Sequence, residues 1–408
     1  MKTYTVTLET LTPVRVGAGD EHQLSPLMEY VYDADAGQVH MIDTDRLHTL
    51  LMEDMDIFEE FVESVRRRTR TSEREDGRHL RRFVEQRLGV PLEEVVRFTV
   101  PATGSISGLI QSTIKNGLHP YIPGSSVKGA IRTATLYKLL DREKPHPAWQ
   151  KFVDMISRGK PPRANYYKTL EGEVFDMMTT TRQGKRIPSI EKDPFRFVSI
   201  SDTRPLNPSS LMIGAVGRYK LAHPDGSFLA FPQHLLDIPC ELIPKGVKTT
   251  FTIGLTEAPE TVIPFLQKPD IHQLFNVLND FSYAILAREL DALDAVFDRH
   301  DDRYDEPPQD LLKVKEFYES LHQRIDGAPK TEAYIRLGSG KTYFDQTIGL
   351  IAENQGKGFL LRLIKELKLT RKARELEDPL GFPRTRSFLC DKNQHIIAPL
   401  GWIRCTLT

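Results

Sequence analysis

Residues 3–10, Thr-Tyr-Thr-Val-Thr-Leu-Glu-Thr, alternate polar and apolar side chains with the two-residue period of a half-buried strand. A short apolar run over 11–16 ends in Gly17-Ala18-Gly19, a turn signal. Residues 25–33 and 39–43 predict a hairpin turning at 34–37, and Asp43 predicts the cap of a helix from Thr44 through Met52. Residues 56–90 are charged with helical periodicity, and strand character returns over 95–100 and 107–113. Val127, Ala130, Ile131, Ala134 and Leu136 form an apolar stripe at helical spacing that continues into Leu139 and Leu140. Further strands are predicted at 195–202, from Arg218, on both sides of Pro244-Lys245-Gly246, into Gly338, and over 396–399 and 401–407, with helices over 260–300 and 308–325. Runs of both kinds define an α+β chain.

A length of 408 residues suits two or three structural units. The pattern predicts a boundary at 237/238, giving units 1–237 and 238–408. Helical insertions are expected at 53–92 and 260–326, and a long excursion at 158–194 is rich in Pro, Gly, Arg and Lys. No run of about 18 apolar residues is present, and the N-terminal stretch lacks the apolar core of a signal peptide. Cys240, Cys390 and Cys405 are scattered, which excludes a usual zinc site or disulfide scaffold and fits a reducing cytoplasm. The charge is balanced, 55 basic against 56 acidic residues, which argues mildly against a free-standing RNA binder but not against local basic patches. Residues 66–82 hold eight arginines against Glu73, Glu75 and Asp76, the composition of an RNA-facing arm or, more commonly, of a solvated insertion. Asp291, Asp294, Asp298, Asp301, Asp302, Asp305 and Glu306 read as a negative rim, solvated or facing a partner.

Chemistry concentrates at 120–136. Pro123 forces an extended entry, Gly124 permits a tight turn, and Ser125 or Ser126 is a good N-cap. Lys128 and Arg132, four residues apart, share one helix face. A helix N-terminus with free N–H groups, two hydroxyls and two cations describes an anion site, most simply for phosphate; an ordinary capped helix with solvated cations has the same composition. Gly338-Ser339-Gly340-Lys341-Thr342 repeats the theme after a strand, with a helix expected from Phe344. Neither stretch has the spacing of a P-loop, which excludes an NTPase reading.

The wording of residues 123–132, Pro-Gly-Ser-Ser-Val-Lys-Gly-Ala-Ile-Arg, closely resembles the glycine-rich signature of the RAMP superfamily, the repeat-associated RNA-binding proteins of CRISPR effector complexes. Thr12-Pro13-Val14-Arg15-Val16-Gly17-Ala18-Gly19 is similar to the opening of that family, with Arg15 where many members carry His. Ser25-Pro26, Glu29-Tyr30, Tyr32-Asp33, Arg336-Leu337-Gly338, Gly340-Lys341 and Pro383-Arg384-Thr385-Arg386 resemble one branch, the capping subunit of type III-A (Csm) complexes. The resemblance spans residues 3–386 in short phrases. It implies two ferredoxin-like (RRM-type) RAMP modules with glycine-rich loops, the 158–194 insertion acting as a thumb across RNA. It also implies binding to the 3′ region of the crRNA, capping of the backbone-subunit filament, contact with other effector subunits, and a part in crRNA maturation in antiviral defence that admits host nucleases. RNA-contacting residues are expected at Arg15, Gly17, Gly19, Gly124, Ser125, Ser126, Lys128, Arg132, Lys245, Gly338, Gly340, Lys341, Arg384 and Arg386, without catalysis, cofactor or metal.

No nucleophile elbow, Cys/His pair or metal-ligand run is present. The runner-up within the family is a metal-independent repeat-processing endoribonuclease, for which His119 and His22 are the candidate bases and Asp33 the candidate acid.

Overall fold

The computed structural model describes residues 1–19, 22–69, 75–141, 143–160, 166–299 and 308–408. In chain order its main elements are β1 (Lys2–Thr10), β2 (Tyr30–Asp33), β3 (Gln38–Ile42), α1 (Thr44–Leu51), α2 (Met55–Thr69), α3 (Arg78–Phe83), β4 (Val96–Thr103) and α4 (Gly124–Leu140). There follow β5 (Val198–Ile200), β6 (Met212–Ala222), β7 (Phe228–Leu242), β8 (Lys248–Leu255), α5 (Ile271–Phe297), α6 (Gln309–Asp326), β9 (Glu332–Arg336), β10 (Thr385–Cys390) and β11 (Trp402–Leu407).

Alternation along β1 puts Val6 and Leu8 into the core and Thr5 and Thr7 on the outer face. β1 is central in a five-stranded antiparallel sheet of order β5-β8-β1-β11-β9. The units β1-α4-β5 and β8-α5-β11 interleave in the strand order of a ferredoxin-like frame, with β9 added at the edge beyond β11. α4 and α5 cover one face together, where the Tyr137 and Phe281 rings lie 5.3 Å apart. Asn279 ties α5 to the edge strand twice: its amide donates to Glu332 O (2.9 Å) and its carbonyl accepts from Tyr334 N (3.0 Å).

The second sheet is mixed. β6 forms a long hairpin with β7, pairs with β10 on its other side, and meets β4 in parallel at Ile213–Gly214. β4 continues through β3 to β2, the hairpin expected from 25–33 and 39–43, with its first strand starting only at Tyr30. Asp43 caps α1 through Arg46 N (3.1 Å), as its position predicts. The 53–92 insertion closes its own small core, in which Phe61, Leu80, Phe83 and Val84 pack on Leu47 and Leu51.

Three expectations change. Strand β7 runs unbroken across 237/238, and β1 shares its sheet with β8, β9 and β11, so that boundary does not separate two independently built halves. Among the described residues one ferredoxin-like frame is present, assembled from segments near both ends of the sequence, and the second sheet has a different order. The described part of 158–194 folds back onto the core through Leu170, Val174, Phe175 and Met177, rather than extending from it; residues 161–165 lie outside the described residues. So do Asp301, Asp302, Asp305 and Glu306 of the expected acidic rim and Glu73 of the charged run. No helix among the described residues is long and apolar enough to cross a membrane, and the three cysteines are buried thiols.

Candidate nucleic-acid interface

Helix α4 begins at Gly124, ahead of the expected Ser125 or Ser126 cap; Pro123 stands at the N-cap, and the helix N-terminus already holds a carboxylate. Gly124 N donates to Asp202 Oδ1 (2.8 Å), and a Cβ at Gly124 would stand 2.4 Å from Ile200 O. Thr203 locks the same junction, accepting from Ile122 N through its hydroxyl (2.9 Å) and donating its own N–H to Ile122 O (3.0 Å). The positive end of the helix is satisfied by the Ser201-Asp202 phrase that follows β5.

Lys128 and Arg132, the two cations near the start of α4, are also spent inside the chain. Lys128 Nζ donates to Val198 O (2.8 Å). Arg132 reaches Glu171 (2.5 Å) and Asp193 (2.8 Å), and its guanidinium stands 5.1 and 4.9 Å from the Phe175 and Phe195 ring centres. Helical spacing predicts one shared face but not the acids that a distant segment brings to it. Arg132→Ala is expected to cost about 2–3 kcal/mol by stranding two half-buried carboxylates, and Lys128→Ala about 1 kcal/mol for one hydrogen bond. Urea denaturation measures both; equal, negligible losses would show the Arg132 cage to be energetically idle. Ser125 is exposed and Ser126 half-buried.

The 338–342 glycine loop interlocks with the 12–19 opening. Ser339 N donates to Arg15 O (3.0 Å), Gly401 N to Pro13 O (2.9 Å) and Leu337 N to Gly401 O (2.7 Å). Gly338 has φ +68°, and a Cβ there would fall 1.8 Å from Arg15 O, while one at Gly340 would fall 2.3 Å from Leu400 O. These glycines permit close approach of backbone to backbone. The helix expected from Phe344 begins only at Gly349. Arg15 is half-buried, with Nη2 at hydrogen-bond limit from Gln111 Oε1 (3.4 Å) and Ser112 O (3.5 Å). Gly17 bridges to Thr113, Gly19 stands in open space, and Lys245 is exposed at the turn between β7 and β8.

Beneath this junction lies a buried charge cluster that reading in sequence order did not find. Arg386 is 5 % exposed and pairs with Glu289 (2.8 Å); it is a structural residue rather than the expected RNA contact. Burial works to raise the Glu289 pKa, but the guanidinium groups of Arg386, Arg336 and Arg288 outweigh it and hold the carboxyl below its ordinary value. Arg336 lies 3.6 Å from Asp345 and donates to Leu400 O (3.2 Å); Arg288 lies 3.0 Å from Glu353. Only the fact that Arg288, Glu289, Arg336 and Arg386 fall on apolar elements hinted at the cluster. Arg384, two residues from Arg386, is half-exposed, and its side chain has no partner among the described residues.

No hydrogen bond or ion pair joins the candidate acid–base groups His22, His119 and Asp33 to one another. His119 is exposed with Nδ1 3.1 Å from Leu206 O, and Asp33 is held below the usual carboxylate range by the Ala36 N–H and by Arg81 (3.1 Å). In the 66–82 run, Arg68, Arg78 and Arg81 are engaged with Glu75, Asp76 and Asp33, and Arg70 and Arg74 lie outside the described residues.

The RAMP superfamily model covers residues 7–368, and the chain belongs to that superfamily. Within it the chain is homologous along its whole length to Csm5 of type III-A CRISPR systems. It is 25 % identical over 432 aligned residues to the Methanocaldococcus jannaschii protein named CRISPR system Cms protein Csm5, covering 99 % of this chain and 89 % of that one. Two solved structures share the fold. A chain of a type III-A Csm–crRNA–target RNA ternary complex matches with TM-score 0.69, 23 % identity and full coverage of both chains. T. onnurineus Csm5 matches with TM-score 0.61 and 20 % identity over 97 % of this chain and 99 % of that one.

Proposed function

We propose that the chain is the Csm5-like subunit of a type III-A Csm–crRNA complex. In this reading it is a non-catalytic RNA-binding protein that holds the 3′ region of the crRNA, caps the filament of backbone subunits and assists crRNA maturation in antiviral defence. The observation that carries the reading is the full-length similarity to Csm5, joined here to cations left without internal partners around the glycine-loop junction. Lys245, Lys341 and Arg384 have no ion-pair or hydrogen-bond partner for their side chains among the described residues, whereas Lys128, Arg132 and Arg386 are occupied. Contacts of this kind address phosphates and tolerate any base, which a variable guide requires.

Ultraviolet cross-linking of labelled crRNA in the assembled complex without divalent metal tests this. Cross-linked peptides from 334–345 or 383–387 with RNA of unchanged length support the clamp. Shortening of the RNA that depends on His119 or His22 would replace it with a repeat-processing nuclease.

A further inference from the structure

Next to the interlocked loops is a recess of about 440 Å³. Its walls include Arg218 from β6, Thr385 and Ser387 from β10, Lys341 from the glycine loop, and the Tyr343 ring. Arg218 and Ser387 are register partners across β6 and β10, so their side chains leave the same face of the sheet. Arg218 is exposed and has no ion-pair or hydrogen-bond partner among the described residues, and the hydroxyls of half-buried Thr385 and Ser387 have none there either.

Lys341 is the unusual member. Burial strips water from its ammonium and lowers its pKa; Asp345 opposes this and Arg336 adds to it. Yet no acceptor meets Nζ among the described residues. The deeper cluster does not reach it: Asp345 Oδ1 is buried without a hydrogen-bond partner among the described residues, yet it forms no ion pair with Nζ. Asp345 Oδ2 is taken by Thr342, through its N–H (2.5 Å) and its hydroxyl (2.8 Å). Glu289 is taken by Arg386 (2.8 Å), and Glu353 lies against Arg288 (3.0 Å). Four cations, Arg288, Arg336, Arg386 and Lys341, therefore stand against three carboxylates. A partly desolvated cation without a counter-charge is unfavourable, and an incoming anion relieves it.

We propose that this recess is a phosphate subsite in which Lys341 and Arg218 hold one phosphate group of an RNA strand, with the hydroxyls of Thr385 and Ser387 as neutral donors. The ammonium supplies a compact charge and the guanidinium a fork matched to two phosphate oxygens. The assignment of RNA as the source of the phosphate rests on the RNA-binding reading above; the anion chemistry does not.

The test uses the full chain, with inorganic phosphate and a single-stranded RNA oligonucleotide as probes. Low-millimolar phosphate, against chloride of equal ionic strength, is expected to raise the thermal midpoint saturably by about 2 °C. Lys341→Met and Arg218→Gln should each abolish that shift; the second residue is exposed, so its loss leaves the fold intact. Each variant should also weaken RNA binding about tenfold and reduce the slope of log affinity against log salt by about one. No saturable shift, or a shift that survives both substitutions, overturns the subsite. A shift lost with RNA affinity unchanged overturns RNA as the source and assigns the recess to a free phosphate or nucleotide. A phosphate shift in a protein that binds no RNA defeats the functional reading while the anion site stands.

Discussion

Glu289→Ala is expected to remove about 3–5 kcal/mol of stability, a large share of what a folded domain has. Glu289 is 4 % exposed, bonded to Arg386 and close to Arg336 and Arg288. Without it three guanidinium groups remain in a low-dielectric interior with Asp345 and Glu353 as their only carboxylates among the described residues. The surface pair Lys315–Asp294, at 2.5 Å but with half of the aspartate exposed, serves as the contrast: Asp294→Ala should cost under about 1 kcal/mol. Urea denaturation of the two variants separates the cases, and similar costs would mean that the cluster is hydrated and not buried as described. Because the folded-state pKa of Glu289 is depressed, its contribution is present above its ordinary pKa and is lost as pH falls through the folded value, so the gap between the two variants should narrow in acid.

Gly338→Ala is the second large effect. A methyl group there meets the Arg15 carbonyl at 1.8 Å and must adopt φ +68°. Left-handed strain costs about 1–3 kcal/mol, and backbone cannot yield as a side-chain tip does, so the total should be about 3 kcal/mol or more. Gly19→Ala also has positive φ, but nothing lies within 4 Å of its would-be Cβ, and its cost should be about 1 kcal/mol. Thermal melts and RNA affinity measured together decide what Gly338 does. Loss of stability in the free protein assigns it to packing; full stability with lost RNA binding would assign it to close approach of a ligand.

This contrast shows where reading the chain succeeds and where it stops. Local rules found β1, the 30–42 hairpin and the Asp43 cap because each depends on neighbours within a few residues. They read the glycine loops as turns that gather donors for an anion, but what approaches Gly338 is Arg15, some 320 residues earlier. They put Lys128 and Arg132 on one helix face, yet the fate of Arg132 is decided by Glu171 and Asp193, which no periodicity links to it. Strand β10 was not expected, because Thr385–Cys390 mixes polar and apolar side chains and takes its shape from pairing with β6. A signed charge is visible in sequence; its partner, when far along the chain, is not.

The closure of the first sheet by β11 also sets an order of events during synthesis. Trp402 N donates to Thr12 Oγ1, contacts 390 residues apart, and β11 lies between β1 and β9. At ribosomal speeds of about 5–20 residues per second, β1 waits roughly 20–80 s for the neighbour that covers its second edge. Until then that edge is open to any passing strand. A nascent chain of this design has high contact order and has reason to be met by a chaperone at the tunnel exit.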